Sequence, residues 1–142
     1  MAGEPSPLVA SLSVAVGGAA GSVLRYHAGR VLGGFAAPGP GVTGDAFPWG
    51  TLGVNIIGSL LMGALLGWLA RGTLTEGGAE SARLLIGVGL LGGFTTFSAF
   101  SAELVTMLHR GQGGMAAGYA AASLIAGMAA VIVGLVAAQS VQ

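Results

Sequence analysis

The sequence contains no cysteine and no lysine, and it holds only five basic and five acidic residues in 142. The missing cysteines exclude disulfides, thiolate metal sites and cysteine nucleophiles. A net charge of zero removes the basic footprint of a nucleic-acid binder, so no nucleic acid is expected as a partner. Charged residues make up 7%, against about 25% in soluble domains, too few to make a water-facing surface. None of the acids pairs with a histidine or a nucleophile at a recognisable spacing, so no enzyme chemistry is expected. The glycines fall within hydrophobic runs and lack the strand–loop–helix context or the lysine of a nucleotide motif. His27 and His109 show no metal-ligand spacing and read as interfacial. The opening residues Met1 to Pro5 carry no basic stretch, so a cleaved signal peptide is not expected.

What remains is apolar and small. Hydrophobic residues make up 54%, the mean hydropathy is +0.85, and 28 residues are glycine without a Gly-X-Y period. That places the chain in the membrane class, as one integral domain in a lipid bilayer. Four uncharged runs, Leu8 to Leu24, Phe47 to Ala70, Leu84 to Ala102 and Gly111 to Gln142, each reach the roughly 17–25 residues of a spanning helix. The expectation is an all-α, multi-pass protein of the cell membrane, with helices over 8–32, 47–70, 83–108 and 113–138. Gly33 to Pro48 reads as the longest loop, Arg71 to Arg83 as a short polar loop and His109 to Gly114 as a tight turn. Gly17-x-x-x-Gly21, Gly63-x-x-x-Gly67, Gly89-x-x-x-Gly93 and Gly114-x-x-x-Gly118 offer small faces where helices can approach closely.

With four spans both termini share one side. Arg71 and Arg83 then lie on the terminal side, and Arg25, Arg30 and Arg110 on the other. Arginine bias sets membrane orientation, and here it is close to nil. Such a chain could insert both ways up and pair as an antiparallel dimer, or take a fixed topology from other features.

Polar groups in hydrocarbon are costly and mark either packing or a pathway. Thr51, Asn55 and Ser59 follow an i, i+4, i+8 spacing, which puts them on one helix face. They suit interhelical hydrogen bonds, and the two amide donors of Asn55 equally suit an anion. Tyr119 and Ser123 repeat the i, i+4 spacing in the last span. The third span carries Gly92-Gly93-Phe94-Thr95-Thr96-Phe97-Ser98-Ala99-Phe100-Ser101, a poor helix interior. A break there frees backbone groups, which suit a cation through carbonyls or an anion at a half-helix start. Phe97 and Phe100 share a face by spacing, as do Ser98 and Ser101. For two phenylalanines ordinary packing is the simple reading, although ring edges can face an anion. Glu103 reads as an interfacial charge, and Arg25-Tyr26 at the end of the first span as a snorkelling pair.

Taken together, these blocks resemble the CrcB/Fluc family of fluoride channels. The resemblance rests on Gly17-Gly18-x-x-Gly21-x-x-x-Arg25-Tyr26, on Phe47-Pro48-x-Gly50-Thr51-Leu52-x-Val54-Asn55-x-x-Gly58-Ser59, on the Gly92–Ser101 stretch with Glu103, and on Tyr119-x-x-x-Ser123-x-x-x-Gly127. It implies an antiparallel, dual-topology homodimer of four-helix subunits with a broken third helix, two fluoride pores and one central structural Na+. By position it implies pore roles for Asn55, Phe97 and Phe100, with Thr51, Ser98, Ser101, Tyr119 and Ser123 as pore hydroxyls. It implies pore-mouth positions for Arg25 and Glu103, and Na+ held by the backbone carbonyls of Gly92 and Thr95. The family commonly has threonine where this chain has Ala99. The alternative is a proton-coupled transporter of the small multidrug kind, which needs a carboxylate in the first span; Leu8 to Leu24 has none.

Overall fold

The computed structural model describes residues 5–33 and 47–140. The loop expected between the first two spans and the last two residues of the fourth run fall mostly or wholly outside them. All regular structure among the described residues is helical. The elements are α1 (Pro7–Gly33), α2 (Trp49–Ala70), α3 (Glu76–Ala82), a π-helical segment (Arg83–Leu91), α4 (Gly92–Phe94), α5 (Phe97–His109) and α6 (Gly113–Ser140). Four helical stretches are long and apolar enough to cross a membrane: Pro7–Gly33, Trp49–Ala70, Glu76–His109 and Gly113–Ser140.

The third stretch differs most from expectation. Residues read as a polar loop form α3, because Thr75 caps it by accepting from the Gly78 amide at 3.3 Å and Glu76 sits in its first turn. An N-cap hydroxyl satisfies one of the orphan amides of a helix start. The following residues are π-helical rather than α-helical, and the Gly92 amide donates to the Gly87 carbonyl five residues back. Gly89 leaves this wide turn without a side chain where it meets α1, and Gly87 does so where it meets Leu65 of α2. After α4, Thr95 (φ −83°, ψ 161°) and Thr96 (φ −150°, ψ 121°) are extended, and α5 then starts afresh.

Missing Cβ atoms decide how the helices meet. A Cβ on Gly17 would collide with the Leu85 carbonyl, and one on Gly21 with the Leu90 carbonyl. From the other side, a Cβ on Gly93 would lie 2.6 Å from the Gly18 carbonyl oxygen. The glycines of both helices therefore form one seam between α1 and the third stretch. A second seam joins α2 to α6: Gly63 faces the Val131 carbonyl, Gly67 the Leu135 carbonyl and Gly134 the Leu60 carbonyl. Without a hydrophobic drive between helices in lipid, such backbone approach supplies the packing. Gly114 and Gly118 are a correction: among the described residues nothing lies within 4 Å of a Cβ built on either, so this motif makes no seam there.

Leu52, Met107, Ala116 and Tyr119 form a buried cluster, with Phe47, Ile56, Phe100 and Leu104 packed against it. It ties the starts of α2 and α6 to α5. Leu12, Val16 and Val23 on α1, and Leu124, Ile125, Met128 and Ile132 on α6, are exposed, as lipid-facing side chains would be.

Candidate functional site: the interruption of the third span

Breaking a helix leaves amides and carbonyls that cannot remain bare in hydrocarbon. Here side chains from two other helices take them up. Asn55 on α2 makes a two-point clasp on Thr96: its Oδ1 accepts from the Thr96 amide at 2.8 Å, and its Nδ2 donates to the Thr96 carbonyl at 3.1 Å. Arg25 on α1 donates through Nη1 to the Thr95 carbonyl at 3.0 Å. The Thr95 hydroxyl donates back to the Leu91 carbonyl at 2.9 Å. The Thr96 hydroxyl caps α5 by accepting from the Ala99 amide at 3.2 Å.

Carbonyls of the turn before the interruption lose their helical donors, that of Gly92 among them. In an unbroken helix the Thr96 amide would donate to Gly92, four residues back. It donates to Asn55 instead. A freed backbone oxygen is a hard ligand of the kind that suits an alkali cation. The Thr95 carbonyl already accepts from Arg25 but retains a second lone pair. The donor set therefore fits a hard cation. Among the described residues no group of three His, Cys, Asp or Glu could hold a metal, so such an ion would rest on backbone oxygens.

Beside the interruption runs a groove of about 330 Å³, lined by Asn55, Ser59, Thr95, Thr96, Phe97, Phe100 and Ser123 together with apolar residues and glycine. Gly58 makes room here, since a Cβ on it would strike the Thr95 methyl. The Phe97 and Phe100 ring centroids are 5.8 Å apart, and Phe97 is 79% exposed. The Ser123 hydroxyl is buried and makes no hydrogen bond among the described residues.

A second polar cluster adjoins the groove through Phe100, whose ring centroid lies 5.1 Å from that of Tyr119. Both oxygens of the Glu103 carboxylate are engaged. Thr51 Oγ1 donates to one at 2.6 Å, and the fully buried Tyr119 donates to the other at 2.7 Å. Hydrogen bonds to a charged acceptor are short and roughly twice as strong as neutral ones.

The sequence pattern of the family described as "CrcB-like protein, Camphor Resistance (CrcB)" matches residues 12–135. The chain belongs to the CrcB family. It is 52% identical over 128 residues to a protein of Novosphingobium aromaticivorans named fluoride-specific ion channel FluC, covering 90% of this chain and 94% of that one. It is similar to two others of the same name: one from Erythrobacter litoralis, at 51% over 130 residues (91% of each chain), and one from Caulobacter vibrioides, at 45% over 130 residues (92% and 95%). The protein is thus a multi-pass protein of the cell membrane, and the matched residues take in the whole groove and both polar clusters.

Within this CrcB-family chain the sequence-expected residues divide into groups. Asn55, Phe97, Phe100 and Ser123 share the groove with Thr95. Thr51 and Tyr119 point their hydroxyl hydrogens at Glu103, and Glu103 is a shared acceptor between helices rather than a free interfacial charge. Ser98 and Ser101 do not line the groove. Ser98 contacts the Thr96 hydroxyl at 3.2 Å, and Ser101 donates to the Phe97 carbonyl of its own helix. Gly92 also lies outside the lining. Thr96 is the residue that sequence reasoning passed over. Its signal was a threonine set directly before a helical run, the pattern of an N-cap.

Proposed function

We propose that the chain is a fluoride-selective channel that passes F− passively across the cell membrane and lowers its concentration in the cytoplasm. The relatives named as fluoride-specific channels support this reading, and the observation that carries it is the groove at the interruption. Fluoride holds its water tightly, so a pore must replace hydration with donors in a narrow, apolar-walled path. Asn55 keeps one amide hydrogen beyond its clasp, and the Ser123 hydroxyl has no partner among the described residues. The Phe97 and Phe100 ring edges add weak positive faces, and the N-terminal end of α5 adds the positive end of a helix dipole. A hydroxyl has one hydrogen, so Thr51 and Tyr119 donate to the anion only when Glu103 yields them.

The functional unit is an antiparallel homodimer of dual topology, with a pore completed by each subunit and the third helix functionally broken at Thr95–Thr96. Two observations support this: the near-absent arginine bias, and the wide exposure of Phe97, which leaves the groove open in one subunit. Gly92 and Thr95 would hold a structural Na+ through their carbonyls, and bound there it would neutralise carbonyl charge between the subunits. Replacing Na+ by a bulky organic cation throughout purification is expected to lower the thermal midpoint of the dimer by a few degrees, because a ligand that binds only the folded form stabilises it. An unchanged midpoint would remove the ion.

The channel reading is tested with purified protein in liposomes and a fluoride electrode. Fluoride release far above that of empty vesicles is expected. Release equal to empty vesicles, accompanied by exchange of protonated organic cations, would establish the small multidrug reading instead.

A further inference from the structure

Gly17, Gly21 and Arg25 stand at i, i+4 and i+8, on one face of α1. The two glycines let the α1 backbone touch the third stretch at Leu85, Leu90 and the Phe94 amide. Arg25 comes one turn further on, where that stretch has just become extended. Its guanidinium is therefore delivered to the Thr95 carbonyl, 70 positions away in sequence. Asn55 takes the next carbonyl and amide from the opposite side. Two helices thus hold two consecutive residues, and the α5 cap, Phe97 and Phe100 follow directly.

From this geometry we infer that Arg25 is a positioning residue, acting through the Thr95 carbonyl to hold Thr95–Thr96 extended and so to set the Phe97–Phe100 pair. The alternative is a charge that draws anions toward the groove. The inference rests on the fluoride-channel reading for its flux arm, and a second arm does not depend on flux. A positioning group affects how well the occupied path conducts. An attracting charge affects how readily the anion arrives and is screened by salt.

The test uses the full chain with Arg25→Met, which keeps length but removes donor and charge, and Arg25→Lys, which keeps charge and loses the planar fork. Fluoride flux from liposomes is measured against fluoride concentration at about 0.01 M and about 1 M ionic strength, where the screening length is about 30 Å and about 3 Å. Backbone amide exchange is followed by mass spectrometry on the peptide covering 91–100. For Arg25→Met we expect maximal flux to fall about tenfold or more, the scale of one lost hydrogen bond to a charged group. The half-saturating concentration should stay within about twofold and the loss should be equal at both salts, given that no anion attraction is removed. Amide exchange in 91–100 rises, and Arg25→Lys lies between.

A raised half-saturating concentration that recovers at high salt, with unchanged exchange, overturns the inference in favour of attraction. If the methionine variant does not give a monodisperse protein, the lysine variant decides: wild-type exchange overturns the inference, and faster exchange supports it. If the wild type carries no fluoride, the channel reading fails alone. The exchange arm then decides for Arg25, with an increase supporting the inference and no change overturning it.

Discussion

The third span meets its neighbours in two different ways on either side of Thr95–Thr96. Before the interruption, contact is made by backbone. The π-helical segment and α4 lie against α1 where Gly17, Gly21, Gly89 and Gly93 have no Cβ to keep them apart. After it, contact is made by side chains: Phe100 stacks on Tyr119, and Glu103 joins Thr51 of α2 to Tyr119 of α6. The first half is held by van der Waals contact, so it tolerates no added volume. The second half is held by charge-assisted hydrogen bonds, so it tolerates volume changes better than the loss of a polar atom. Arg25 and Asn55 stand at the join and take up the Thr95 carbonyl and the Thr96 amide and carbonyl.

The largest effect is expected at the join. Asn55→Asp keeps the acceptor for the Thr96 amide but sets a carboxylate against the Thr96 carbonyl and the anion path. Like-charge placement costs several kcal/mol, so fluoride flux should fall on the order of 100-fold or more. Unchanged flux would remove Asn55 from the pathway.

Next is the backbone seam. Gly21→Leu forces a side chain into the Leu90 carbonyl and the Phe94 amide. Overpacking of this kind costs about 1–3 kcal/mol or more, read as a lowered thermal midpoint in detergent. Gly118→Leu, with nothing within 4 Å among the described residues, is the control and should leave subunit unfolding unchanged. If the two behaved alike, the contrast between the halves would collapse.

The side-chain half is probed by Tyr119→Phe and Thr51→Val. Each removes a hydrogen bond to a carboxylate, worth about 1.5–3 kcal/mol. In a double-mutant cycle with Glu103→Gln the effects should be non-additive, because all three groups share one network. Additive losses would mean that Glu103 does not couple the two hydroxyls.

The smallest effect is expected outside both halves. Thr75→Ala removes the α3 cap at an exposed site and should cost about 1 kcal/mol or less of stability, with flux unchanged. A marked loss of flux would extend the functional element back to α3.

Much of this was legible in one dimension. Glycines spaced by four named the two seams, yet the same spacing at Gly114 and Gly118 marks open surface. Spacing reports a small face but not whether a neighbour covers it. Glu103 looked like an interfacial charge because its donors lie 52 and 16 positions away, beyond any local pattern. Arg25 looked like a mouth residue for the same reason. The helix Glu76–Ala82 was hidden by two glycines and its polarity, although Thr75 stood at its start as a cap.

The sequence by itself determined that this is a four-span membrane protein, because a chain so poor in charge and so rich in glycine cannot clothe itself for water and can pack closely in lipid. It also marked Gly92 to Thr96 as a poor helix interior, because two glycines followed by two β-branched threonines favour other conformations. Only the tertiary structure decided what takes up the freed backbone. In hydrocarbon every exposed amide and carbonyl needs a partner, and the partners, Arg25 and Asn55, come from helices that meet the third span only once the chain has folded.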